Sequence, residues 1–174
     1  MTRIYLIRHA ETEPTGDDAT LWPLSERGEQ QAKLLAAQPF WEDVKAIITS
    51  DEQKAIATVK DVAFERGIRL RMHNGLRELR RTPGWLEEYD ARVLEVFQKP
   101  ALNIGGWERA ADAQARMLTT LDELIRQFDS APFAVVSHGM VLALLIASAQ
   151  NQMGNVFDIW QQFGFADAVV IEIE

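Results

Sequence analysis

Two of the three histidines in this sequence, His9 and His138, stand at the ends of short apolar runs rich in β-branched residues, residues 4–7 and 133–136. Arg8 immediately precedes the first of them, and Ser50-Asp51 follows a third apolar run at 44–49. In an open α/β sheet, ligands gather beyond the carboxyl ends of the strands. If those runs are strands, their polar exits and the 73–81 loop, with its several arginines, face one ligand. Two imidazoles among several cations suit a phosphate monoester, because phosphoryl transfer needs preorganised donors for charge on the equatorial oxygens.

The rest of the pattern supplies elements to hold these residues. Ser25 caps a helix carrying Gln31, Leu34 and Leu35, with Glu26 and Glu29 near the positive end of its dipole, and Pro39 ends it. Ser50 and Gln53 match a capping box opening a helix that runs to about Arg66. After Gly67, the alternation Ile68, Leu70, Met72 predicts a strand. Residues 73–84 read as an ordered loop, after which Trp85, Leu86, Tyr89, Val93 and Val96 recur at helical spacing. Residues 108–128 form a long amphipathic helix that covers one sheet face. The almost wholly apolar 140–147 stretch is a buried helix, and 167–173 is a last strand. Strands alternating with helices predict a three-layer α/β/α fold around a mainly parallel central sheet. With roughly 150 residues per domain, residues 1–174 are expected to form one domain.

The absence of cysteine excludes a disulfide framework, thiolate metal sites and a cysteine nucleophile. A net charge of -8 opposes nonspecific binding to nucleic acid or anionic membrane. The apolar run at the start is too short for a secretory signal, and 140–147 falls well short of the ~20 residues that span a bilayer. The expected protein is soluble and cytoplasmic, with a small-molecule phosphomonoester as partner. A symmetric homodimer is compatible with the sequence.

The segment Leu6-Ile7-Arg8-His9-Ala10-Glu11-Thr12 resembles the Arg-His-Gly motif of the histidine phosphatase superfamily, the phosphoglycerate mutase-like proteins. The resemblance continues through Leu24-Ser25-Glu26-Arg27-Gly28-Glu29-Gln30-Gln31-Ala32 and from Thr49-Ser50-Asp51 to Thr58. It resumes at Leu76-Arg77-Glu78-Leu79, at Gly105-Gly106-Trp107-Glu108 and at Val135-Val136-Ser137-His138-Gly139. The ordered set is far more specific than one Arg-His pair.

The resemblance implies that His9 attacks phosphorus to form a phosphohistidine, which divides one hard displacement into two easier ones. Its other ring nitrogen should then donate to a backbone carbonyl. Arg8 and Lys54 would bind phosphate, His138 would hydrogen-bond the phosphoryl oxygens, and Glu78 would act as general acid and then base. The chemistry requires neither cofactor nor metal.

Three departures stand out. Lys54 replaces the usual arginine, keeping charge but exchanging a bidentate fork for a point charge, which lowers turnover without abolishing it. Ala10 replaces the motif glycine, and the stretch from Arg80 to Trp85 differs from the family's usual continuation. The expected function is hydrolysis of a small phosphorylated metabolite, since 174 residues leave little room for the insertions that shield a phosphoenzyme from water in larger mutase relatives. The alternatives are phosphoglycerate mutase-type transfer, or a non-catalytic module that binds a phospholigand or a protein. Among the remaining residues, His73 is read as structural or solvent-facing, Arg80 and Arg81 as a solvated turn, Trp85, Trp107 and Trp160 as core residues, and Asp51 and Glu108 as helix N-terminal charges.

Overall fold

The computed structural model describes residues 1–173. Its sheet has the strand order β3-β2-β4-β1-β5, built from β1 (Thr2–Arg8), β2 (Ala46–Thr49), β3 (Arg69–Met72), β4 (Phe133–Ser137) and β5 (Ala168–Ile173). β1 runs parallel to β4, and β2 runs parallel to both β3 and β4. Only β5, on the outer edge beside β1, is antiparallel.

Side chains alternate across a strand, and this assigns the two cores. Ile4, Leu6, Ala46, Ile48, Phe133 and Val135 face one layer of helices. Tyr5, Ile7, Ile47, Ala134 and Val136 face the other. The first layer is α3 (Tyr89–Gln98), α4 (Ala110–Phe128), α5 (Gly139–Ala149) and α6 (Val156–Gln162); the second is α1 (Glu26–Ala36) and α2 (Gln53–Arg66). The expected three-layer architecture is therefore present. The apolar α5 is buried on every side from Gly139 to Ala147 between sheet and neighbouring helices, which explains its lack of a polar face.

Local signals hold at several ends. Ser25 accepts a hydrogen bond from the Gly28 N–H at the start of α1. Gly67 closes α2 in the left-handed region at φ 62, which favours glycine. Trp107 and Trp160 lie in the core.

Two local readings are corrected. The capping box at Ser50 and Gln53 does not form: α2 begins at Gln53 with Glu52 as its extended N-cap, and no side chain caps it. Trp85 precedes α3 and is 81% exposed, because the chain reaches helical conformation only at Tyr89. Among the described residues no helix is long and apolar enough to cross a membrane.

Candidate active site

Strand register brings the motif residues together. Arg8 pairs with Ser137 and Thr49 with Val136. The ladder continues one step further: the His9 N–H donates to Ser137 O at 3.0 Å, and the Ser50 N–H donates to Val136 O at 2.8 Å. His9, Ser50 and His138 thus emerge side by side at the carboxyl ends of three adjacent parallel strands, and the rings of His9 and His138 lie 5.1 Å apart.

His9 is buried, with Nδ1 2.7 Å from the Ala10 carbonyl. A carbonyl only accepts, so Nδ1 carries the proton and Nε2 keeps a lone pair. Burial, then the neighbouring His138 and Lys54, hold the His9 pKa well below the ordinary imidazole range against the opposing pull of the Ala10 hydrogen bond. The Ala10 methyl is accommodated in full burial, and its N–H donates to Thr58 Oγ1 at 2.9 Å.

His138 has no exposed surface. Its Nε2 is 2.8 Å from Ser50 Oγ, while its Nδ1 is buried without a partner in the protein. Burial, with the cations Lys54, Arg81, Arg116 and Arg8, holds this imidazole well below its ordinary range as well. Both rings are therefore neutral near pH 7.

Arg8 is partly buried, and that burial lowers its pKa. Its guanidinium lies over the Phe165 ring at 4.1 Å and donates to the Phe163 carbonyl; Nε is buried and unpartnered. Gly139 makes room for it. A Cβ there would come 3.1 Å from Arg8 Cζ and Nε and from Trp160 Nε1.

Glu78 sits at the start of α5. Its Oε2 accepts from the Met140 N–H at 3.1 Å, and its Oε1 accepts from the N–H groups of Val141 at 3.2 Å and Leu79 at 2.8 Å. These three N–H groups fix the orientation of the Glu78 carboxyl group at the helix start.

Lys54 is buried and already bonded on two sides. Its ammonium donates to Ala19 O at 2.6 Å and lies 3.0 Å from Glu52 Oε2. Glu52 is the residue that sequence reasoning missed. Its Oε1 accepts from the Glu78 N–H at 3.2 Å and lies 3.5 Å from His138 Nε2. Residues two apart do not face each other on a helix, so spacing held no hint of the pair.

Arg81, expected in a solvated turn, is half-buried instead. It donates to Tyr89 Oη at 2.7 Å, with its guanidinium over the Tyr89 ring at 5.2 Å. Burial pushes the Tyr89 pKa up to about 12, so the phenol stays protonated. Asp51 and Glu108 are tied to arginines as well as lying near helix starts. Asp51 receives two 2.6 Å hydrogen bonds from Arg77, and Glu108 pairs with Arg116 at 3.0 Å. His73 has a structural contact, accepting from the Gly75 N–H at 3.0 Å.

An open cleft of about 1400 Å³ is lined by Glu52, Glu78, Arg81, Tyr89 and Trp107 among others, while His9, Arg8, Lys54 and His138 lie outside its lining. Among the described residues no group of three or more His, Asp or Glu side chains is placed to hold a metal ion. What the arrangement offers is an unprotonated nucleophilic nitrogen, cations in a buried setting and a carboxylate facing the cleft.

The family model described as the histidine phosphatase superfamily (branch 1) matches residues 4–174. A probable phosphoglycerate mutase GpmB of Yersinia enterocolitica is 30% identical over 164 residues, which cover 85% of this chain and 74% of that protein. Among solved structures, YhfR of Bacillus stearothermophilus superposes with a TM-score of 0.83 at 25% identity, covering 100% of this chain and 92% of that one. A mycobacterial glucosyl-3-phosphoglycerate phosphatase shares the fold, with a TM-score of 0.80, 22% identity and coverage of 99% and 90%.

Proposed function

Because the chain belongs to the histidine phosphatase superfamily, we propose that it is a phosphomonoesterase that hydrolyses a small phosphorylated metabolite through a phosphohistidine on His9. The observation that carries this reading is the His9 ring: Nδ1 is tied to the Ala10 carbonyl and the buried imidazole is unprotonated at neutral pH, so Nε2 offers a lone pair beside Arg8 and His138.

Nε2 of His9 forms a bond to phosphorus as the ester P–O bond breaks, and Glu78 delivers a proton to the departing oxygen. Water then attacks phosphorus, forming a new P–O bond as the P–N bond to His9 Nε2 breaks. Glu78 takes the proton from water, and phosphate leaves with neutral His9 regenerated. Arg8 supplies buried positive charge and a free Nε donor, worth more in a desolvated site than in water. Lys54 contributes its remaining N–H. With the Ser50 hydroxyl donating to Nε2, His138 presents Nδ1–H to a phosphoryl oxygen.

The open cleft reaches Glu78, the carboxyl assigned to activate water, and this supports hydrolysis. The relative named a probable phosphoglycerate mutase motivates a second reading, transfer between two hydroxyls of a sugar acid without net release. Phosphate release from a panel of monoesters, compared between the parent and His9→Ala, tests the proposal. Release should be lost in the variant. Equal rates would overturn the nucleophile, and exchange without release would select the mutase reading.

A further inference from the structure

Glu52 places a negative charge where the phosphate-binding machinery is assembled. The Lys54 and Glu52 side chains are 4% and 6% exposed and meet at 3.0 Å. The same carboxylate touches the Glu78 backbone and lies 3.5 Å from His138 Nε2. Stability alone is a poor account of such a pair, since apolar residues of similar volume commonly replace a buried ion pair at no net cost.

The charges around the pair come from every neighbouring element. Arg8 and His9 come from the end of β1, Asp18 from the turn before Ala19, and Arg77, Glu78 and Arg81 from the segment after β3. Arg116 comes from α4 and His138 from the start of α5. Arg77 is committed to Asp51 and Arg116 to Glu108, and burial keeps both imidazoles neutral. Arg8, Lys54 and Arg81 then face Glu52 and Glu78, with Asp167 acting on Arg8 and the exposed Asp18 near Lys54. Much of the cationic charge is offset before any phosphate arrives.

Resting on the phosphomonoesterase reading, we propose that Glu52 is a specificity-determining residue: by holding its carboxylate on Lys54 it cancels that cation toward the phosphoryl group, so the site takes the phosphoester as a monoanion in preference to the dianion. The second phosphate charge would enter a desolvated region beside an existing carboxylate, where repulsion is little screened. The monoanion also brings a proton that can hydrogen-bond a carboxylate or carbonyl.

Calorimetric titration of inorganic phosphate into the full chain at about pH 5.5 and about pH 8.5 brackets the second phosphate ionisation. The parent should bind about tenfold more tightly at the lower pH. Glu52→Gln should erase that preference and bind about tenfold more tightly than the parent at the higher pH. Equal or tighter parent binding at high pH overturns the proposal. So does weaker binding by the variant at high pH, the result expected if Glu52 only props up Lys54.

Should the variant not fold, the parent alone decides through two monoesters, an alkyl and a nitrophenyl phosphate, whose second ionisations differ. The alkaline limb of kcat/KM must move with the ester; a limb common to both overturns the idea. If neither ester is hydrolysed, the phosphomonoesterase reading falls, and the phosphate-binding ratio of the parent still judges Glu52.

Discussion

Gly139→Ala isolates the contribution of Arg8, because stability and activity respond to it differently. Gly139 is the first residue of α5 and is not among the glycines with positive φ. Alanine is therefore compatible with the backbone and gains about 0.4–1 kcal/mol by restricting the unfolded chain. Against this, the new Cβ would stand 3.1 Å from Arg8 Cζ and Nε and from Trp160 Nε1, where about 3.5–4.0 Å is comfortable.

About 0.5 Å must be found by moving a neighbour. Trp160 packs in the core, whereas Arg8 is held by one carbonyl and a ring face and has an unpartnered Nε. Arg8 yields. Misplacement by about 1 Å costs on the order of 10²-fold in rate, so half that shift predicts a loss of about tenfold in kcat/KM and a similar loss in phosphate affinity. Melting should stay within about 2–4 °C of the parent, the shift that about 1 kcal/mol produces in a chain of this size. Gly154→Ala is the control, since a Cβ there meets nothing within 4 Å. Phosphate release and phosphate titration on the three proteins give the answer. Undiminished phosphate affinity in a folded Gly139→Ala would refute the role given to Arg8.

Two further outcomes follow from the buried charges. Lys54→Met leaves the Glu52 carboxylate buried without its cation and should cost about 3–5 kcal/mol in urea unfolding, while Lys54→Met with Glu52→Leu should return to within about 1 kcal/mol of the parent; a single variant as stable as the parent, or a double as poor as the single, would contradict the geometry. The depressed imidazoles of His9 and His138 set a pH dependence. Below about pH 6.5 the unfolded chain binds protons that the folded chain refuses, so stability is greatest above that pH and falls as pH drops toward the lowered folded values. The slope is up to about 1.4 kcal/mol per pH unit for each ring. Unfolding curves at about pH 7.5 and about pH 5 check this, and His9→Gln should remove its share of the slope; a flat profile in the parent would show that the rings are not buried as neutral groups.

Much of the fold was legible because its causes are local. The Ile4 to Ile7 run and the apolar α5 are continuous stretches, and the stripe along α4 carries its helical period; Ser25 caps the helix that its neighbours begin. Trp85 misled for the same reason, since its spacing fits α3 but the chain there is not yet helical. The Ser50 capping box misled because a tertiary partner competes. The Ser50 hydroxyl lies against His138 and accepts from the Glu52 N–H instead of capping α2 at Gln53.

The sequence by itself determined most of the elements, though not α6, and which residue types leave the strand ends, because these follow from apolar runs and side-chain period over a few residues. Only tertiary structure decided that β4 lies between β1 and β2, which sets His9 beside His138 and Ser50. It also decided that Glu52, in extended conformation just before α2, closes on Lys54. Strand pairing and buried charge balance are settled between segments distant in sequence, where the cost of desolvating each group is met by partners that no local pattern names.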